Sequence, residues 1–79
     1  MNVIEKKGVI ASLKKRNLVA QYLKAKDNIL AGNYTVVDLK KRKPKSANVW
    51  YFRITRKYRA LAEKKENTLY VFYISDHQE

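Results

Sequence analysis

Residues 50–59 read WYFRITRKYR, and this stretch decides how the second half of the chain folds. Apolar and polar side chains alternate from its first residue, which is the period of a β-strand with one buried face. A basic turn at residues 56–57 then leads into a second strand. We therefore expect a tight antiparallel pair in which Trp50, Phe52 and Ile54 face a core.

The remaining C-terminal sequence has the same two-residue period. Residues 69–75 read LYVFYIS and predict a final strand, and residues 36–39 predict a short strand before a loop at residues 40–48. The turns at residues 56–57 and 64–67 are too short for crossover connections. We therefore expect three or four strands in one antiparallel sheet.

The first third of the chain has a helical period instead. Ile10 and Leu13 lie on one face of a helix predicted over residues 3–16, and a second predicted helix has an apolar stripe at a spacing of three or four residues. The two are joined by a short link, so we expect an N-terminal antiparallel helical hairpin that covers the apolar face of the sheet. The fold class is then α+β, with residues 1–79 as a single domain. The stripe of the second helix consists of Leu18, Tyr22, Ala25 and Ile29, and Val19, Leu23 and Leu30 widen it.

The net charge of +11 is the strongest functional signal in the composition. Nine of the eighteen Lys and Arg residues fall between Lys40 and Arg59, and no acidic residue occurs between Asp38 and Glu63. Like charges this close together repel one another unless a polyanion neutralises them. The sequence therefore predicts a nucleic acid, or an acidic protein that mimics one, as the partner.

The composition also argues against several other classes of protein. Cysteine is absent and histidine occurs once, so disulfides are excluded and we expect no metal and no cofactor. No apolar run approaches the ~20 residues that span a bilayer. Residues 1–9 contain acid and glycine where a secretory signal has its apolar run. We expect a cytoplasmic protein without a membrane segment.

Two arginines are the main candidates for chemistry. Arg53 lies on the strand face opposite Trp50, and Arg59 opens the next strand, so one open sheet face can hold both guanidinium groups. A planar guanidinium grips two phosphate oxygens, and an arginine pair without a nearby acid is therefore a candidate phosphate or carboxylate receptor. The plainer alternative is a solvated arginine on an open face.

One imidazole and a basic run complete the candidate site. His77 follows the last predicted strand and titrates near neutral pH, so it can exchange a proton during phosphodiester cleavage; the alternative is an inert histidine. The run KKRKPK at residues 40–45 either tracks a phosphate backbone or is simply solvated. The residues predicted to contact RNA are Lys40, Lys41, Arg42, Lys43, Lys45, Tyr51, Arg56 and Lys57.

Three segments of this sequence resemble the RelE/ParE superfamily of toxins from toxin–antitoxin systems. They are DLKK at residues 38–41, VWYFRITRKYRAL at residues 49–61 and LYVFYISDHQ at residues 69–78. The middle segment is similar to the YoeB and RelE branches, in which a strand with an internal basic residue is followed by a Tyr-Arg or His-Arg pair. The resemblance implies a RelE-like fold over nearly the whole chain.

The resemblance also implies an activity. Members of the RNA-cleaving branches are metal-independent endoribonucleases that cut mRNA on the ribosome without a cofactor, and an acidic antitoxin protein neutralises them. By this resemblance, Arg53 matches a basic residue of the active-site strand and Arg59 matches the arginine that binds the scissile phosphate. His77 matches the catalytic histidine of the YoeB-like branch, and Lys40 and Lys41 fall in the basic region that engages RNA.

The sequence also departs from this family pattern. Gln78 stands where the YoeB-like branch has a tyrosine, Asp38 is only near the place of its glutamate base, and the usual N-terminal strand has no clear counterpart. ParE-like gyrase poisons share the Tyr-Arg pair and a terminal histidine without the nuclease chemistry. A second hypothesis is therefore a non-catalytic nucleic-acid-binding protein, or a ParE-like inhibitor, on the same fold.

Overall fold

A computed structural model describes residues 1–76 of the chain. Within that range the fold is α+β, as predicted, with two helices and a mixed five-stranded sheet in the order β1-β5-β4-β3-β2. The prediction of three or four strands in one antiparallel sheet is wrong, because β1 adds a parallel strand. The β1 and β5 strands run parallel, and the other neighbours are antiparallel. The elements are β1 (Asn2–Glu5), α1 (Val9–Lys15), α2 (Val19–Leu30), β2 (Lys40–Lys41), β3 (Val49–Arg53), β4 (Tyr58–Lys65) and β5 (Thr68–Asp76). Short 3-10 turns occur at Tyr34–Val37 and Lys45–Ala47.

The prediction of a helix over residues 3–16 is wrong in its first part. The chain begins with β1, in which Val3 is buried and aligned with Leu69 of β5. Gly8 has a left-handed φ of 90° and separates this strand from α1. The strand forms because β5 offers a parallel partner and a buried position for Val3, and neither is visible in the local pattern. The sheet therefore gains a parallel edge strand, and the helices follow β1 instead of opening the chain.

The prediction of a strand over residues 36–39 is also wrong. Tyr34–Val37 form a 3-10 turn in which Val37 is buried, and Asp38 takes a left-handed φ of 52°. This sharp turn lets Val37 reach the core and redirects the chain into the two-residue strand β2. The segment predicted as a loop at residues 40–48 therefore begins as an edge strand, which pairs with β3.

The helices cover one face of the sheet, and the core lies between them. Leu18, Tyr22, Ala25 and Ile29 of the predicted stripe are buried, which confirms its centre. Leu23 and Leu30, which were predicted to widen the stripe, are exposed. Leu13 of α1 joins the same cluster, as does Phe52 of β3, which has no exposed surface. Trp50 and Ile54 are partly buried and pack against this core, so the predicted inward face of β3 is confirmed. Among the described residues no helix is long and apolar enough to cross a bilayer.

A hydrogen-bonded triad joins β1 to α2. The Tyr22 hydroxyl donates to Oε2 of Glu5 at 2.7 Å, and Nζ of Lys26 donates to the same oxygen at 2.9 Å. Burial by itself would raise the pKa of Glu5, but these two hydrogen bonds and the charge of Lys26 outweigh it and lower that pKa. Burial and the neighbouring carboxylate both raise the pKa of Tyr22, so its hydroxyl stays protonated and remains a donor.

Replacing Tyr22 with Phe should lower the free energy of unfolding by roughly 1.5–3 kcal/mol, the usual worth of a hydrogen bond to a charged group. Because Glu5 has a lowered pKa in the folded state, its contribution is present near neutral pH and is lost as the pH falls through the carboxyl range. Urea unfolding at pH 7 and pH 4 measures both effects. The matched control is Tyr73→Phe. The Tyr73 ring is exposed, so this substitution should leave the free energy of unfolding unchanged. Equal stability of Tyr22→Phe and wild type would contradict this role.

Candidate nucleic-acid interface

The sheet face opposite the helices is uncovered, and its side chains form rows across the strands. The row of Val49, Glu63 and Tyr70 contains a carboxylate, and Oε1 of Glu63 lies 2.8 Å from Nζ of Lys6. Two further rows carry the basic residues. Lys40, Tyr51, Leu61 and Tyr73 are successive partners in register on β2, β3, β4 and β5. Side chains directly opposite one another across strands have Cβ atoms about 4.5–5.5 Å apart, so each row is continuous. We call this surface the open face. It comprises Lys40, Arg42, Tyr51, Arg53, Arg59, Leu61, Tyr73 and Ser75, of which Arg53, Arg59 and Ser75 form the second row.

A depression of about 230 Å³ opens in the middle of this face. It is lined by Arg42, Tyr51, Arg59, Leu61 and Ser75. Two guanidinium groups and two hydroxyl groups meet there, and no carboxylate lines it among the described residues. Concentrated positive charge with hydroxyl donors in a shallow recess favours an anion, and the arginine fork fits phosphate oxygens. We call this recess the Arg59 depression.

The turn between β3 and β4 holds the Arg59 side chain. Nη1 of Arg59 donates to the backbone carbonyls of Thr55 at 2.8 Å, Arg56 at 3.2 Å and Tyr58 at 3.3 Å. The Thr55 hydroxyl in turn accepts from the backbone N–H groups of Lys57 and Tyr58, each at 3.2 Å, which fixes the turn. Within residues 1–76 every hydrogen bond of the Arg59 guanidinium runs through Nη1. Its Nε and Nη2 groups have no hydrogen-bond partner among the described residues.

Arg53 is placed differently from the sequence prediction. It lies directly opposite Arg59 in register, as predicted. Its Nη1, however, lies 3.4 Å from the carboxylate of Asp38, and its Nη2 donates to the carbonyl of Val36 at 3.2 Å. Arg53 thus lines a separate depression of about 270 Å³ beside α2 and the turn at Tyr34–Val37. The expected arginine pair without a nearby acid is wrong, because the left-handed conformation of Asp38 brings that carboxylate to Arg53.

The other predicted RNA contacts are spread over several surfaces. Lys40 and Tyr51 lie on the open face, whereas Lys41 aligns with Trp50 and its Nζ lies 6.0 Å from the centroid of the Trp50 ring. The Nζ of Lys57 lies 3.9 Å from a carboxylate oxygen of Asp76. Lys43, Lys45 and Arg56 are exposed on connections outside the strands. His77 follows Asp76 directly and lies outside the described residues.

The strand prediction for residues 69–75 did not identify two exposed aromatic residues, one on the open face and one beside it. The register between β4 and β5 shifts, so that Leu61 aligns with Tyr73 and Ala62 with Val71. Phe72 is the extra residue of this β-bulge, and both Phe72 and Tyr73 are exposed. Two adjacent aromatic residues inside an alternating strand are the sequence signal that this irregularity leaves.

Comparison with known proteins adds no family assignment. The sequence matches no protein-family model, and no curated protein matches it either. The resemblance to the RelE/ParE toxins therefore rests on the three quoted segments. Within residues 1–76, no group of three potential metal-ligating side chains occurs.

Proposed function

We propose that this chain is the toxin of a type II toxin–antitoxin system and binds RNA on its open face. The observation that carries the proposal is the Arg59 depression, in which two arginines and two hydroxyl groups meet on a rigid sheet without a carboxylate among its described lining. The net charge of +11 supplies the long-range attraction for a polyanion. A further support is β1, because it occupies the place of the N-terminal strand of the family pattern, for which the sequence has no clear counterpart.

We further propose that the chain is an endoribonuclease acting on mRNA at the ribosome. The 2′-hydroxyl of the RNA gives up its proton as its oxygen attacks the neighbouring phosphorus, which forms a 2′,3′-cyclic phosphate. The bond from phosphorus to the 5′-oxygen of the next nucleotide breaks, and that oxygen takes up a proton. Arg59 and Arg42 would stabilise the extra negative charge on the phosphate in the transition state, a type of contribution typically worth about 3 kcal/mol per well-placed group. In this proposal Arg42 stabilises the phosphate in the role that the sequence assigned to Arg53, because Arg53 already forms an ion pair with Asp38.

His77 is the proposed proton-transfer residue, and its replacement separates cleavage from binding. His77→Gln should lower the single-turnover rate of mRNA cleavage on ribosomes by about 10²-fold, because general acid–base catalysis is commonly worth that much. Affinity for the ribosome should change little, since one nearly neutral imidazole adds little to a binding surface dominated by cations. Equal cleavage rates for His77→Gln and wild type would remove the histidine from the mechanism and leave the binding proposal standing.

A non-catalytic RNA-binding protein or a ParE-like contact inhibitor is the second candidate. The ion pair between Arg53 and Asp38 favours it, because it occupies one of the two arginines expected to stabilise the transition state. Growth arrest by wild type without any RNA cleavage in the presence of ribosomes would select this candidate. In either case we propose an acidic antitoxin as the protein partner, and a small acidic protein encoded beside this gene would support the toxin assignment.

A further inference from the structure

Two adjacent aromatic residues of β5, Phe72 and Tyr73, are exposed beside the Arg59 depression. Phe72 is 37% exposed and Tyr73 is 56% exposed. At these positions β5 pairs with β4, whereas its pairing with β1 ends at Val71. The β-bulge at Phe72 breaks the alternation that would have buried one of these two rings. Large aromatic side chains contribute most to folding when buried, so two adjacent exposed rings beside a cationic depression point to a ligand that covers them.

The position of Tyr73 relates this pair to the Arg59 depression. Tyr73 is opposite Leu61, which is opposite Tyr51, and Leu61 and Tyr51 both line the depression. The row that contains Tyr73 lies two residues along the strands from the row that contains Arg59, a separation of about 7 Å at the usual rise per residue. A nucleotide whose phosphate occupies the depression can therefore extend its base toward Tyr73.

We propose that Tyr73 is a stacking platform for a base of single-stranded RNA whose phosphate is held by Arg59, with Phe72 beside it. This inference rests on the proposed RNA-binding function and specifies the form of RNA that the open face accepts. Every base has a planar π-face that stacks on an aromatic ring, whereas the bases of a duplex are already stacked on one another. The charge of the same face suits a phosphate chain, because Arg59 lies in the row next to that of Tyr73, and Lys40 and Arg42 extend the cationic surface across the sheet to the β2 edge.

The test is a binding titration with a short single-stranded oligoribonucleotide that carries the fluorescent base 2-aminopurine. Tyr73→Ala should weaken binding by roughly 5- to 150-fold, the range for loss of one stacked base, and should abolish the fluorescence quenching that stacking causes. Tyr73→Phe keeps the ring and should bind within about twofold of wild type. The matched control is Val36→Ala, an apolar residue that is 54% exposed and lies outside the open face. It should bind as wild type does.

The outcomes distinguish this inference from the proposed function. If wild type binds the oligoribonucleotide and Tyr73→Ala binds it equally well, the stacking platform is wrong and RNA binding through phosphate contacts stands. If Tyr73→Ala weakens binding of duplex RNA as much as binding of single-stranded RNA, the ring does not act by stacking on a base. If Tyr73→Ala weakens binding of an acidic protein partner and leaves the affinity for RNA unchanged, the aromatic pair is a protein-docking surface. If wild type binds neither the oligoribonucleotide nor ribosomes, both proposals fail together.

Discussion

Replacement of Arg59 by Ala should abolish growth arrest and lower RNA cleavage by about 10²- to 10³-fold, the cost of removing one preorganised donor to a transition-state charge. The turn carbonyls of Thr55, Arg56 and Tyr58 hold this guanidinium, so its free donors are already oriented when the phosphate arrives. The loss should appear mainly in the single-turnover cleavage rate, since the added negative charge exists only in the transition state. Cleavage of mRNA on ribosomes measures the rate, and growth after induction measures the arrest.

Two comparison variants make the Arg59 result specific. Arg53→Ala should cost less than Arg59→Ala, because Arg53 is engaged by Asp38 and lines a different depression. Lys14→Ala removes an exposed cation from the last turn of α1, on the helical side of the sheet, and should leave activity unchanged. Thermal unfolding of each variant verifies the fold. A folded Arg59→Ala protein with full activity, or an Arg53→Ala protein with the larger loss, would contradict the assignment.

The part of the fold that the sequence predicted best is the β3–β4 hairpin. The alternation from Trp50 and the short basic turn were enough to predict which side of β3 faces the core and that Arg53 and Arg59 begin from neighbouring positions, although the Arg53 side chain lines the depression beside α2. Both signals are local, because side-chain direction in a strand follows directly from position in the sequence. The stripe on α2 was predictable for the same reason, since helical spacing alone determines which side chains share a face.

The features that sequence reasoning missed depend on contacts between distant residues or on single backbone conformations. The β1 strand exists through parallel pairing with β5, whose Leu69 aligns with Val3. The ion pair that engages Arg53 depends on one left-handed residue, Asp38. The exposed pair at Phe72 and Tyr73 depends on a one-residue shift of register against β4. None of these follows from local periodicity, and two of them change the composition of the candidate site.

The salt dependence of RNA binding should also be large. Each phosphate contact with single-stranded nucleic acid contributes a slope of about −0.7 to the log–log plot of affinity against salt. With about five such contacts along the open face, raising salt fourfold should weaken binding by about 10²-fold. The response follows from release of counterions by the basic side chains, so it should appear with any single-stranded RNA sequence.

The most direct test of RNA binding by the open face is to identify which basic side chains produce the salt dependence of the affinity. The double variant Arg42→Gln/Arg59→Gln removes both guanidinium groups of the Arg59 depression, whereas Lys14→Gln/Lys15→Gln removes the same charge from α1 on the other side of the sheet. We expect the first pair to make the slope shallower by about 1.4, two phosphate contacts at 0.7 each, and the second pair to leave it unchanged. A wild-type affinity that does not respond to salt, or an equal change of slope for the two pairs, would contradict binding of RNA by the open face.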